Sequence, residues 1–135
     1  MAVAATETTS LIAFTLPSTP YSVQMARFYV RAALIYHELG DYSEDAVMVT
    51  SELVTNAIEH ADALKFGLEV MHMADSRAVA VIVTDSSPHP PVKRDLSEAT
   101  EHGRGLNIVE TLSASWGWRP QDSGKAVYAI LARQA

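Results

Sequence analysis

The apolar residues of this chain change their period near its middle. Between residues 20 and 61 they recur at steps of three and four. Val23, Ala26, Val30, Ala33 and Leu34 make a first run that closes on His37. Val49, Leu53, Val54, Ala57, Ile58 and Ala61 make a second. Such spacing puts each set on one side of a helix. Beyond residue 64 the pattern is that of strands. Residues 64–73 alternate loosely, with Leu68 and Val70 facing one way, and residues 78–83 form a nearly continuous apolar run. A run of that kind predicts a strand that is central in a sheet. The short Ala74-Asp75-Ser76 segment between them predicts an antiparallel hairpin.

The remaining elements follow from their breakers. Residues 11–16 predict a short edge strand stopped by Pro17 and Pro20. Gly40 is the expected C-cap of the first helix, and Ser43, with Glu44 and Asp45 behind it, the expected start and cap of the second. The segment Ser86-Ser87-Pro88-His89-Pro90-Pro91 excludes regular helix and central strand. The polar stretch 93–102 extends this break into a long connection. A short helix over residues 106–112 follows. Strands over 114–119 and 126–131 then flank a turn at Gln121-Asp122-Ser123-Gly124. The expected fold class is therefore α+β, a two-layer sandwich of a mostly antiparallel sheet with helices on one face. Residues 1–10, small and polar, are the expected tail, and 11–135 the expected single domain.

Composition narrows the function classes. A net charge of −6 gives no basic field for nucleic acid, so direct nucleic-acid binding is not expected. With no cysteine in the chain, disulfides and thiolate chemistry are excluded. The apolar run at 78–83 is far too short to cross a bilayer, and residues 1–10 carry Glu7 and no basic cluster, unlike a secretory signal. A cytoplasmic location is the expectation. The five histidines form no metal-spaced pair, and neither G-x-S-x-G nor G-x-x-x-x-G-K-[ST] occurs.

Three features can carry chemistry. On the second helix Glu52, Asn56 and Glu59 share a face at i, i+4, i+7, which reads either as a polar binding face or as a solvated one. Asp85 ends the central apolar run just before the proline-rich break. It can accept a hydrogen bond from an amino group or open an Asx turn. Gly103-Arg104-Gly105 precedes the last short helix, as an anion-binding N-terminus or as a hinge. Trp116 and Trp118 sit two apart on a predicted strand, one expected in the core and the other exposed.

In order and surroundings these features resemble the GHKL ATPase/kinase superfamily, whose nucleotide-binding domain is the Bergerat fold. Glu52-Leu53-Val54-Thr55-Asn56-Ala57 with His60-Ala61 is similar to its N-box. Asp85 stands where its G1 box begins, and Gly103-Arg104-Gly105-Leu106 is similar to its G2 box. Trp116-Gly117 and Gly124-Lys125-Ala126-Val127 resemble the end of small stand-alone members, and the size of the chain points to the anti-sigma-factor serine/threonine kinase branch. The resemblance implies ATP and Mg²⁺ as cofactors. It implies Asn56 as the magnesium ligand and Glu52 as the general base toward a protein hydroxyl. Asp85 would bind the adenine amino group, and Gly103, Arg104, Gly105 and Leu106 would line the phosphates. Residues 91–102 would form a lid. Implied partners are a STAS-type anti-sigma-factor antagonist and a sigma factor, and the family often forms homodimers. One departure stands out: the G1 pattern D-x-G-x-G reads Asp85-Ser86-Ser87-Pro88-His89 here, with Ser87 and His89 in place of both glycines. Two functions follow as expectations. One is a kinase acting on the antagonist; the other is a non-catalytic nucleotide switch that holds a regulatory partner.

Overall fold

A computed structural model describes residues 8–60, 64–91 and 105–133. Strand β1 (Thr8–Pro17) leads into helix α1 (Tyr21–Tyr36), and a 3-10 turn at Gly40–Tyr42 leads into α2 (Ser43–His60). Strands β2 (Lys65–Met73) and β3 (Ala78–Asp85) follow, then α3 (Gly105–Leu112), β4 (Ser115–Gln121) and β5 (Gly124–Ala132). The five strands form one sheet in the order β1-β2-β3-β5-β4, with every neighbouring pair antiparallel. This is the expected α+β sandwich. The continuous apolar run of β3 fits its central place, since the successive residues Ala78, Val79, Ala80 and Val81 are all buried, on both faces of the strand. Prolines stand on the two edge strands, Pro17 ending β1 and Pro120 in β4, where a missing ladder donor is tolerated.

The core lies between one sheet face and the helices. Phe66, Leu68 and Val70 of β2 join Val79, Val81 and Val83 of β3 and Val127, Ala129 and Leu131 of β5. Against them pack Val30 and Leu34 of α1, Val49, Leu53, Val54 and Ala57 of α2, and Leu106 and Val109 of α3. The register aligns these positions across the sheet, with Leu68 opposite Val83 and Val83 opposite Val127. A bulge between Ser10 and Ile12 lets the successive residues Leu11 and Ile12 both reach the core from β1. Trp116 packs against the core while Trp118 remains 39% exposed, as expected for the pair.

The structure corrects some local expectations. Helix α1 ends earlier than Gly40: Glu38, at φ 62°, takes the left-handed position, with its N–H donating to the Ile35 carbonyl and that of Leu39 to the Leu34 carbonyl. These two bonds make a Schellman closure without glycine. Ser43 does not cap α2 by accepting a backbone N–H; its hydroxyl donates to the Gly40 carbonyl at 2.7 Å, so α2 grows directly out of the 3-10 turn. Strand β1 begins at Thr8, within the stretch expected as tail, and residues 1–7 lie outside the described residues. Among the described residues no helix is long and apolar enough to cross a membrane.

Candidate functional site

Where β3 and β5 approach the loop-bearing end of the sheet, Asp85 lies directly opposite Lys125. Their side chains share the face of Val83 and Val127, two residues away along each strand, and so point toward the helices. Lys125 Nζ donates to Asp85 Oδ1 at 3.0 Å, and the two side chains are only 5% and 2% exposed. The same Oδ1 accepts the Ser87 N–H at 2.8 Å, which closes the Asx turn that Asp85 was expected to be able to open. The turn propagates one step further, since Ser87 Oγ accepts the His89 N–H at 3.3 Å.

The departure at the two expected glycines thus has a local explanation. Left-handed φ values among the non-glycine described residues occur only at Glu38 and Arg77, so Ser87 and His89 sit in backbone conformations open to any residue. What glycine would have provided as bare backbone is replaced here by side chains that fold the segment on itself. Gly124 is the glycine this end of the sheet requires. A Cβ there would overlap the Asp85 carbonyl oxygen and approach Ser86 Cα to 2.7 Å, so β5 passes β3 this closely only without a side chain.

Beside the Asp85–Lys125 pair is a cavity of about 140 Å³. Helix α2 lines it with Leu53, Asn56, Ala57 and His60, the sheet with Asp85, Lys125 and Val127, and the loop after β3 with Ser87, His89, Pro90 and Pro91. Apolar side chains from both layers, Leu53, Ala57 and Val127, share the lining with the polar Asn56, Asp85 and Lys125, the mixture found in pockets that hold a ring and orient it by a few polar atoms. Asn56 and Asp85, expected to act together, do meet at this cavity. Glu52 stands one turn before Asn56, half-buried, engaged by an interaction of its own and outside the cavity lining. Glu59 is exposed. The cavity-facing side of α2 therefore runs through 53, 56, 57 and 60, rotated from the expected stripe of 52, 56 and 59.

Gly105 and Leu106 are the first two residues of α3, and the Leu106 side chain is 4% exposed in the core, which anchors that helix start. Gly103, Arg104, Ala61 and all of the expected lid but Pro91, that is residues 92–102, lie outside the described residues. Lys125 carried no role in the sequence reading, because a lysine following a turn glycine looks like an ordinary solvated strand end. His60, named above only within the N-box resemblance, also lines the cavity. No group of three metal-binding side chains occurs among the described residues. A magnesium ion held chiefly by phosphate oxygens and water needs only one or two protein oxygens, and Asn56, which lines the cavity, has one amide oxygen that could serve.

Residues 16–131 match the family model for the histidine kinase-like ATPase domain. No curated protein matches the chain. Among solved structures, the crystal structure of the RsbU and RsbW domains of Rv1364c from Mycobacterium tuberculosis is similar, at a TM-score of 0.67 and 22% identity. The likeness covers 92% of this chain and 33% of that one, so this chain spans about a third of that protein's length. At this identity the likeness is one of fold.

Proposed function

The chain belongs to the histidine kinase-like ATPase domain family, and on that premise we propose that it is an ATP-binding anti-sigma factor with serine/threonine protein kinase activity toward an anti-sigma-factor antagonist. The observation that carries this reading is the meeting of Asn56 and Asp85 at one cavity, from two elements that the resemblance assigned to magnesium and adenine. ATP with Mg²⁺, when bound, supplies the phosphoryl group and neutralises its charge. The protein's own part is to place and orient. Leu53, Ala57 and Val127 offer apolar faces to a base, and Asp85 accepts from its amino group. Asn56 would hold the metal through its amide oxygen. The start of α3 at Gly105 and Leu106 contributes backbone N–H groups and the positive end of the helix dipole toward the phosphates. Glu52, on α2 one turn from Asn56, takes the proton of the attacking hydroxyl, a role for which positioning matters more than covalent chemistry.

Calorimetric titration with ATP tests the site. Saturable binding that strengthens with Mg²⁺ is expected, and Asn56→Ala should weaken Mg·ATP binding about tenfold or more while affecting Mg-free ATP much less. An equal loss in both conditions removes Asn56 from the metal site.

Glu52→Ala should lower phosphoryl transfer to an antagonist by about a hundredfold or more and leave ATP affinity within a few-fold. A matching fall in affinity would make the residue structural.

A second reading, a nucleotide switch that holds its partner without transfer, is favoured by one observation. Ser87 and His89 line the cavity where the family's pattern has glycine. Binding of ATP with no transfer to any antagonist, in the wild-type protein, would select it.

A further inference from the structure

Lys125 is the least expected side chain at this site. A lysine at the first step of a strand beyond a turn can extend its ammonium into water at little cost. Here the residue is 4% exposed, and its Nζ is held against Asp85 beside the cavity. Burying two charges gains little stability over an apolar pair of similar volume, so stability alone is a poor reason for the arrangement. Its chemistry is more specific. An ammonium has three donors and a carboxylate only acceptors. One Nζ donor goes to Asp85 Oδ1, which also receives Ser87 N–H. Because Asp85 and Lys125 are opposed across β3 and β5, the cavity is offered a donor and an acceptor next to each other, fixed by two strands.

We propose that Lys125 is a base-reading residue, so that the Asp85–Lys125 pair, and not the carboxylate alone, selects adenine. The inference rests on the nucleotide-binding reading above. The Watson–Crick edge of adenine presents an amino donor at C6 next to the ring acceptor N1. Asp85 takes the amino group and Lys125 Nζ donates to N1. Guanine and hypoxanthine carry the opposite pattern, a carbonyl at C6 and a proton on N1. In the same pose they set oxygen against the carboxylate and N–H against the ammonium, a mismatch at both positions.

The test compares ATP with 1-deaza-ATP, which keeps the amino group and replaces N1 by C–H, using calorimetric titration of the full chain. With the wild-type protein 1-deaza-ATP should bind about tenfold or more weakly than ATP, the loss of one hydrogen bond to a charged donor. GTP should bind more weakly still. In Lys125→Met the two adenine nucleotides should bind within about threefold of each other, since no N1 partner remains. If that variant does not fold, Asp85→Asn/Lys125→Met, which leaves no orphaned carboxylate, makes the same comparison. Equal binding of ATP and 1-deaza-ATP to the wild-type protein overturns the role of Lys125 and leaves the nucleotide site standing. So does a 1-deaza penalty that persists undiminished without Lys125. Absence of binding by any of the three nucleotides overturns both readings together.

Discussion

Replacing Gly124 with alanine is expected to lower the unfolding free energy by about 3 kcal/mol or more, the upper range for forcing atoms into a packed site. The clash is with backbone, the carbonyl oxygen of Asp85 and the Cα of Ser86, and not with the end of a flexible side chain. Relief therefore requires β5 to move away from β3, which breaks the Asp85–Lys125 register and the ladder next to it. Gly40→Ala is the natural control. Its added methyl meets only Ile35 Cγ1, at an ordinary 3.9 Å. In a 3-10 turn with no left-handed glycine, that change should be neutral or stabilising by up to about 1 kcal/mol. Urea denaturation of the three proteins decides the matter. Similar midpoints for Gly124→Ala and Gly40→Ala would show that the close approach of β5 is not a requirement of the fold.

The contrast between these two glycines shows what can be read from a sequence and what cannot. Periodicity is a local property, and the elements it specifies are the ones recovered. Leu68 and Val70 do face the core, and the run at 78–83 is the middle strand. Asn56 and Asp85 could be joined beforehand only because their surroundings resemble a known motif; nothing local says that a helix residue and a strand end will share a cavity. Lys125, named within a resemblance, was given no role for the same reason. Its partner is 40 residues away, and only the β3–β5 register makes the lysine a buried ion-pair member. The facing of α2 was also decided from outside. A polar stripe at 52, 56 and 59 is a fact about the helix alone, whereas the cavity lies where the ends of β3 and β5 put it. At the end of α1, glycine was the plausible left-handed residue, but closure onto Leu34 and Ile35 occurs sooner and falls on Glu38. Helix ends depend on the last packed turn, here fixed by buried Leu34, as much as on the nearest glycine.

Lys125→Met alone should destabilise the protein by about 3–5 kcal/mol, because it leaves the Asp85 carboxylate buried with only the Ser87 N–H to hold it. Asp85→Asn should cost a comparable amount for the opposite reason, a buried ammonium left with a neutral and weaker acceptor. The double variant is expected to return to within about 1 kcal/mol of the wild-type protein, since a neutral amide beside a methionine carries no uncompensated charge. The exposed pair Arg133–Asp41, at 2.7 Å but 55% and 69% exposed, is the internal comparison. Its removal should change stability by no more than about 1 kcal/mol, and that small effect should shrink further in salt. Four urea titrations complete the cycle for the buried pair. Additive single effects would mean that the two charges are not coupled, which would remove the electrostatic basis of the site. A recovered double variant that no longer binds ATP would separate the two roles of the pair. Its geometry would then be kept for what the donor and acceptor recognise, since an uncharged pair supports the fold equally well.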